Sequence, residues 1–514
     1  MIAASNVRLR SGVGIAVLHR GPRCKRTSLE TRGHLRDYPR GRKASSVTVV
    51  YDCSGLTSPR PYPRASSTVT RTVNVSDIID TRSVGAFQLR AFLLCAAVLF
   101  VDGFDVQAIT YVAPAISRDW GLARGALGPT FSAGLFGVML GAMLLAPLAD
   151  RVGRRRVIVN SCVAFGVGTL LTLAVSSLGE LLVLRFFTGL GLGAALPNAI
   201  GLASEYAPHK RRAVIVMFVG SGISLGAIGA GAAAAQLVEP FGWRAVFVVG
   251  GILPLALAAA LWRFLPESIR FSAAVPGRQA EAKRLLRKIE PDLGPDGDIA
   301  IVSDGPEGGK ATVVDLFKDG RAVATLCLWV AFFMSLLNVY LAINWLPTSL
   351  NASGFTLTQA NVMTTLYHVG GVLGTYAIGL FMDRLGAHRM VLVGLLLAAV
   401  GFYAFATATG MTQWPTTAIL MLAGVGVIGA QVGATALASM TYPVTMRATG
   451  LGWALGVGRV GSIVGPAIGG FVLATAANPR AVYLGCIAPV LIGMAAVALL
   501  KRQPTPARQP VTAS

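Results

Sequence analysis

The chain has 514 residues, of which 54% are hydrophobic and only 13% are charged, whereas soluble domains typically carry about 25% charged residues. This composition excludes an ordinary soluble enzyme, and continuous apolar runs of about 20 residues exclude the short alternating strands of a membrane β-barrel. The formal net charge is +22, but the basic residues are concentrated at the N-terminus and in short loops, which argues against a nucleic-acid-binding surface.

Residues 1–80 are predicted to form a basic N-terminal extension, because they are rich in Arg, Ser and Pro and contain no apolar run of spanning length. Two alternatives stay open: a disordered tail at the cytoplasmic face, or a true translation start further along the chain. The next methionine after Met1 is Met139, so a start near residues 50–75 would need a codon other than ATG. The block VNVSDIID at Val73–Asp80 is typical of an amphipathic lead-in to the first span.

Twelve membrane-spanning helices are predicted from Phe87 onward, because each apolar run is long enough, at about 1.5 Å per residue, to cross roughly 30 Å of hydrocarbon. The predicted spans are 88–112, 128–149, 157–176, 180–203, 213–236, 244–265, 322–345, 360–381, 390–409, 415–439, 450–474 and 481–500. The predicted fold class is therefore an all-α protein of the lipid bilayer.

A long polar stretch divides the twelve spans into six plus six. The predicted domains after the extension are an N-terminal half at 81–265, a central cytoplasmic loop at 266–321, a C-terminal half at 322–500 and a cytoplasmic tail at 501–514. Within the central loop, the segment QAEAKRLLRKIE at Gln279–Glu290 is typical of an amphipathic surface helix.

The basic residues alternate between connections. DRVGRRR at Asp150–Arg156 follows span 2, EYAPHKRR at Glu205–Arg212 follows span 4, and DRLGAHR at Asp383–Arg389 follows span 8, whereas the odd-numbered connections are poor in Lys and Arg. By the positive-inside rule, this pattern places both termini in the cytoplasm and predicts a multi-pass protein of the cell inner membrane.

Two of these loops repeat each other, since DRVGRRR and DRLGAHR occupy corresponding positions in the two groups of six spans. Such a repeat indicates a duplicated six-helix unit with a site at the interface between two pseudo-symmetric halves.

Three motifs resemble the major facilitator superfamily over about residues 75–505. They are the D-R-x-G-R-R loop at Asp150–Arg155, the segment RFFTGLGLG at Arg185–Gly193 and LPES at Leu265–Ser268. Ala146 stands where the pattern usually has glycine, which weakens the inference of close packing there but leaves the charged part intact. The resemblance implies the major facilitator fold.

Within the superfamily, three further stretches resemble the aromatic acid:proton symporter family. They are DGFD at Asp102–Asp105, GLGLGAALPNAIGLASEY at Gly189–Tyr206 and YPVTMRATGLGWALGVGRVGSIVGP at Tyr442–Pro466. The resemblance implies import of benzoate- or hydroxybenzoate-like carboxylates with protons, without chemistry on the substrate. We accordingly expect no enzyme activity, no cofactor and no nucleic-acid partner, and a monomeric protein.

Asp102 and Asp105 are the candidate proton site, because carboxylates inside a membrane span are costly and usually functional. At positions i and i+3 they share one side of a helix. The alternative is a structural carboxylate paired with an arginine. In the resembling family the motif is required for transport, which supports both residues, and Asp105 is favoured here as the proton carrier.

Two arginines within predicted spans are candidate partners for these acids or for a substrate. Arg185 in span 4 is interpreted as a proton-coupling partner of a span 1 carboxylate, and a static ion pair is the alternative. Arg459 in span 11 is the candidate ligand of the substrate carboxylate, because a guanidinium binds carboxylates through two parallel hydrogen bonds. Trp453 and Tyr340 are the aromatic residues chosen to stack on the substrate ring.

The repeated loops supply the candidate gating residues, which would close the cytoplasmic side through ion pairs and helix-end contacts. These residues are Asp150, Arg151, Gly153, Arg154, Asp383, Arg384 and Arg447. Positive-inside charge alone would explain the arginines, but it does not explain an aspartate at the same place in each half.

Other polar residues have simpler explanations. Glu205 is interpreted as an ordinary helix-end residue, and His368, as a lone histidine in a span, as structural. Six cysteines show no paired metal-ligand spacing, so no metal site is predicted.

Three competing functions stay open on the same fold: a proton-linked exporter, a symporter of sugars or other small organic acids, and a sensor that binds aromatics without moving them. A primary pump is disfavoured, because the sequence has no nucleotide-binding P-loop.

Overall fold

The computed structural model describes residues 71–82, 84–275, 277–290, 299–302, 312–408, 410, 412–443, 446–476 and 478–501. The helices are, in chain order, α1 (Val75–Thr81), α2 (Ala86–Asp119), α3 (Gly128–Leu144), α4 (Ala149–Val152), α5 (Arg154–Leu171), α6 (Leu178–Tyr206), α7 (Arg212–Phe241), α8 (Arg244–Phe264), α9 (Ile269–Ala274), α10 (Gln279–Arg287), α11 (Ala322–Ala352), α12 (Leu357–Leu385), α13 (Ala387–Thr407), α14 (Gln413–Thr441), α15 (Arg447–Thr475), α16 (Ala481–Gly485) and α17 (Ile487–Lys501). Short 3-10 turns occupy Ala146–Leu148, Thr172–Ala174, His209–Arg211 and Val313–Phe317. The strands are β1 (Arg71–Asn74) and β2 (Ile299–Val302).

Twelve helical segments among the described residues are long and apolar enough to cross a membrane. They confirm the all-α fold class and the predicted division into six plus six spans. Several helices extend beyond the apolar run that predicted them; the first, predicted at 88–112, is helical over Ala86–Asp119. The predicted basic extension covers residues 1–80. Its first 70 residues lie outside the described part of the chain, whereas Arg71–Asn74 form β1 and Val75–Thr81 form α1 and are not disordered. The tail after Lys501 also lies outside the described part.

A small separate unit is formed by described residues up to Arg82 and from Ser272 to Asp304. Within it, β1 pairs in parallel with β2, with Arg71 opposite Ile299. Helix α10 is the amphipathic helix predicted from the sequence, and it buries Ala282, Leu285 and Leu286.

The same unit contains an ion pair between Arg82 and Glu290, and the Arg82 guanidinium holds the pKa of the Glu290 carboxyl below its usual range. The strand pair was not expected, because a four-residue strand whose partner lies far along the chain has no local sequence signal.

The other unit, residues 83–271 and 305–514, contains the twelve spans. Its helices approach each other through glycine, as is usual where lipid gives no hydrophobic drive between helices. A side chain at Gly103 of α2 would collide with the backbone of Ile223 in α7, and one at Gly137 of α3 would collide with the backbone of Phe186 in α6. The C-terminal half shows the same close packing at glycine, since Gly461 of α15 lies against the backbone of α11.

The two halves meet through α7 against α12, α3 against α15 and α2 against α11. Hydrogen bonds cross this interface: Thr110 Oγ1 donates to Asn344 Oδ1 at 2.8 Å, and Ser132 Oγ donates to the Ile463 carbonyl at 2.6 Å. The interface is therefore polar in places, and it positions the cavity described next.

Candidate functional site

A cavity of about 260 Å³ lies between the two halves. The N-terminal half lines it with residues of α2, α3, α6 and α7, and the C-terminal half with residues of α11, α12, α14 and α15. Most of the wall is aliphatic, including Val106, Leu135 and Ile343. Polar groups are few, which is typical of a pocket that binds a small organic molecule and orients it through a few contacts.

Asp102 and Arg459 are the charged residues of this cavity, one from each half. Asp102 is 7% exposed. Arg459 is among the charges that act on it, but within the described residues no ion pair or side-chain hydrogen bond joins Asp102 to a partner. Both predicted residues therefore lie in one cavity, and neither is neutralised by direct contact with the other.

Asp105 lies in a different environment, although it is only three residues from Asp102. It is fully buried, and Arg185 Nη1 donates to its Oδ2 at 3.0 Å. The Thr169 hydroxyl donates to its other oxygen. The Arg185 guanidinium also lies over the Phe247 ring, 5.0 Å from its centroid. The predicted contact between Arg185 and a span 1 carboxylate is thus present, and it is made with Asp105.

Asp105 and Arg185 line a second, much smaller cavity of about 30 Å³. Val106, Leu135, Val138 and Leu192 line both cavities, so a single layer of aliphatic side chains separates them. The i, i+3 spacing turns the second carboxylate about 60° around the helix relative to the first. That rotation is enough to place the two acids in adjacent cavities.

The predicted stacking residues lie in different places. Tyr340 lines the large cavity. Trp453 is 47% exposed and stacks on Trp329, with ring centroids 6.0 Å apart and planes 23° apart. Trp453 is not among the residues that line the cavity, because its position on α15 turns the indole outward.

The first gating loop is held by carboxylates from two other segments. Arg154 Nε lies 2.9 Å from Glu205 Oε1, and Ser268 Oγ donates to Glu205 Oε2 at 2.5 Å. Glu205 therefore does more than end a helix, which the sequence interpretation missed. The signal was present in the LPES segment, whose serine contacts it.

Gly153 in the same loop has φ +100°, and a side chain there would meet the Glu267 carboxylate. Glu267 Oε1 accepts from the Arg155 backbone N–H at 3.1 Å. Asp150 and Arg151 are exposed.

The second gating loop is more open. Gly386 has φ +86°, and a side chain there would meet no atom within 4 Å. Arg384 and Arg447 are exposed. Asp383 is helical, and its side chain lies outside the described part of the structure.

No metal centre is found within the described residues, where no three His, Cys, Asp or Glu side chains come together.

A twelve-helix membrane protein with a central cavity between two half-repeats has the architecture of a small-molecule transporter. The sequence profile of the Major Facilitator Superfamily matches residues 95–348 and 328–514. The chain therefore belongs to the Major Facilitator Superfamily; it is a multi-pass transporter of the inner membrane and not an enzyme. The resemblance inferred from the motifs is confirmed at the level of the family.

Among named relatives, the chain is similar to the 4-hydroxybenzoate transporter PcaK of Pseudomonas putida, with 36% identity over 70% of this chain and 80% of the relative. It is 37% identical to a gallate transporter of Pseudomonas putida over 64% of this chain and 73% of the relative. It is also 31% identical to a benzoate transport protein of Acinetobacter baylyi over 64% of this chain and 72% of the relative.

Solved structures support the fold. The partially occluded, inward-open xylose transporter XylE of E. coli matches with a TM-score of 0.64 and 17% identity, covering 83% of this chain and 100% of that one.

Proposed function

We propose that this protein imports aromatic carboxylates, such as benzoate or hydroxybenzoate, together with protons, with both termini in the cytoplasm. The observation that carries the proposal is the large cavity, in which a buried carboxylate and a guanidinium from opposite halves face a largely aliphatic wall. The three named relatives transport, by their names, 4-hydroxybenzoate, gallate and benzoate.

Arg459 is the proposed ligand of the substrate carboxylate. A guanidinium in a membrane-spanning helix keeps its charge and needs an anion, and no ion pair with the half-buried Arg459 is found among the described residues. The aliphatic wall suits an aromatic ring, and Tyr340 offers it an aromatic contact. The same wall argues against a sugar as the substrate, because sugar hydroxyls would lose their hydrogen bonds to water there.

Asp102 is the better candidate for the proton carrier, which reverses the preference for Asp105 drawn from the sequence. Asp105 already accepts from Arg185 and from Thr169, so its charge is compensated in place. Asp102 faces the cavity without such a contact, and water or a substrate proton can reach it. Asp105 and Arg185 then hold α2 against α6 and take part in coupling through the position of Asp102.

Transport would proceed by rocking of the two six-helix halves about the cavity. The proposed gating residues are Asp150, Arg151, Gly153, Arg154, Asp383, Arg384 and Arg447, which lie in or beside the repeated loops. The contacts of Arg154 with Glu205 and of Gly153 with Glu267 support this role for the first loop. We propose a monomer as the transporting unit, with no nucleic-acid partner.

The test is uptake of labelled benzoate and 4-hydroxybenzoate by proteoliposomes that contain the purified protein. An inward-directed gradient of one pH unit can support about tenfold accumulation per coupled proton. We expect uptake above the external concentration, abolished by a protonophore. Uptake that ignores the protonophore would contradict symport, and accumulation only with the gradient reversed would indicate an exporter.

Asp102→Asn separates the two acids within this assay. We expect it to abolish gradient-driven accumulation while it retains exchange of labelled for unlabelled substrate, because binding and rocking do not need the proton carrier. Asp105→Asn, measured per molecule of folded protein, should keep part of the accumulation. The opposite result would indicate that Asp105 is the proton carrier.

A further inference from the structure

Two polar side chains of the large cavity each carry an unpaired atom. Gln107 of α2 is 7% exposed and His368 of α12 is 3% exposed, and both line the cavity. Within the described part of the chain, Gln107 Oε1 and His368 Nε2 have no hydrogen-bond partner. Buried polar atoms are normally paired, so two orphaned atoms in one ligand-sized cavity point to a group that enters it.

Gln107 lies away from Asp102 along α2, and His368 lies on α12, a helix that carries neither charged residue of the cavity. Gln107 follows Asp102 by five residues on α2, which is about 7.5 Å along the helix axis. Tyr111 lies one turn further on, and its ring centroid is 6.5 Å from that of His368. The cavity therefore has a charged pole at Asp102 and Arg459 and a neutral polar pole at Gln107 and His368. On α2, the aliphatic side chain of Val106 separates them.

The neutral pole is held in place by its neighbours. The His368 ring packs edge-on against Tyr367, with centroids 5.7 Å apart and planes 89° apart, and its other neighbour is Tyr111. A fixed imidazole nitrogen and an amide can together accept a hydrogen bond and donate one. A phenolic hydroxyl is a matching partner, since it donates one hydrogen bond and accepts others.

We propose that Gln107 and His368 bind a hydroxyl group on the substrate ring, opposite the carboxylate held by Arg459. They thereby select aromatic acids with a hydroxyl far from the carboxyl over the unsubstituted acid. The axial rise of about 7.5 Å from Asp102 to Gln107 is comparable with the length of a benzoate from its carboxyl group to a hydroxyl across the ring. This inference rests on the proposed function, because it needs the carboxylate at Arg459.

Displacement of water explains why the neutral pole discriminates between a ring with a hydroxyl group and a ring without one. In the empty cavity, water can satisfy Gln107 and His368. A ring hydroxyl that displaces this water restores the hydrogen bonds, whereas a bare ring or a methyl group leaves two buried polar atoms unpaired. Sites built to bind a hydroxyl reject the analogue that lacks it for this reason.

The test is competition against uptake of labelled 4-hydroxybenzoate by the full-length protein in proteoliposomes. The unlabelled competitors are benzoate, 4-methylbenzoate and the 2-, 3- and 4-hydroxybenzoates. We expect 4-hydroxybenzoate to inhibit at roughly tenfold lower concentration than benzoate. The 2-hydroxy isomer and 4-methylbenzoate should inhibit no better than benzoate, because one places its hydroxyl beside the carboxyl and the other has none.

Gln107→Leu and His368→Phe should bring the ratio of inhibition constants for benzoate and 4-hydroxybenzoate close to one, while benzoate still inhibits. His368→Gln retains a hydrogen-bonding group and should preserve most of the ratio. Asn361→Leu is the matched control: Asn361 is a fully buried amide of α12 whose two polar atoms have no partner among the described residues, but it does not line the cavity. It should leave the ratio unchanged.

A wild-type ratio near one would overturn the proposal before any variant is made. A wild-type ratio that persists in both Gln107→Leu and His368→Phe would overturn the assignment of these residues. Either result leaves the proposed function intact, because labelled 4-hydroxybenzoate is still taken up. Failure of every benzoate to inhibit or to be taken up would instead contradict the proposed function itself.

Discussion

The two six-helix halves hold their charges differently. Residues 81–265 contain seven acidic residues, whereas residues 322–500 contain one, Asp383, beside five arginines. The arginines of the C-terminal half therefore cannot all be paired within that half. Because of this difference, the N-terminal half has acidic partners for its arginines within the same half, whereas most arginines of the C-terminal half do not.

In the N-terminal half several charges are paired in place, although Asp102 is not. Arg185 contacts Asp105 and Arg154 contacts Glu205, both across helices. In the C-terminal half, Arg480 is satisfied without an acid, since it donates to the Ala408 carbonyl and to Ser353 Oγ. Arg459 has neither arrangement among the described residues. The N-terminal half thus supplies fixed ion pairs and the carboxylate that faces the cavity. The C-terminal half supplies the Arg459 guanidinium, whose anion must come from outside that half.

The largest effect is expected where a paired charge loses its partner. Arg185→Gln leaves Asp105 buried without its cation, which should lower the free energy of unfolding by about 3–5 kcal/mol. Thermal unfolding of the purified protein in detergent measures this. The double variant Arg185→Gln with Asp105→Asn should recover most of the loss, because no unpaired charge stays buried. A single variant as stable as wild type would break the contrast between the halves.

Arg459→Gln should act on binding instead of stability. Hydrogen bonds to a charged group are worth about 1.5–3 kcal/mol, so KM for benzoate should rise roughly tenfold to 150-fold. The unfolding temperature should stay near that of wild type, since no fixed partner is lost. A loss of stability as large as that of Arg185→Gln would show that Arg459 is also held by a static pair.

The repeated loops offer a smaller, matched comparison. Gly153→Ala and Gly386→Ala both place a side chain at positive φ, at a backbone cost of about 1–3 kcal/mol. Only at Gly153 would the new methyl group meet Glu267, which is buried and accepts from the Arg155 backbone. We expect Gly153→Ala to destabilise the protein by about 1 kcal/mol more than Gly386→Ala. Equal unfolding temperatures would show that the first loop is no more tightly held than the second.

The smallest effect is expected at the aromatic residues of the C-terminal half. Tyr340→Ala removes an aromatic contact from the cavity, and because aromatic pairs are worth about 0.5–1.5 kcal/mol, KM should rise roughly twofold to tenfold. Trp453→Phe should leave KM unchanged, since its ring stacks on Trp329 outside the cavity. If KM changed for Trp453→Phe and not for Tyr340→Ala, the result would indicate that Trp453 contacts the substrate.

Sequence patterns predicted the number of spans and the charged residues of the cavity well, because both depend on the cost of moving polar groups into hydrocarbon. The same reasoning was less successful at predicting which way a side chain faces around its helix axis. It grouped Asp102 with Asp105 although they face adjacent cavities, and it chose Trp453, which turns away from the cavity. It also dismissed His368 and Glu205, because a single polar residue gives no hint of its neighbours.

The sequence by itself determined that the chain crosses the membrane twelve times as two related halves, and that an acid pair in span 1 and arginines in spans 4 and 11 lie within the bilayer. Hydropathy and charge patterns carry that information because moving a polar or charged group into lipid costs free energy. Only the tertiary structure decided which aspartate meets Arg185 and which faces Arg459, since a turn of about 60° around one helix separates the two. That rotation depends on how α2 packs against α6 and α7, which no local pattern in the sequence records.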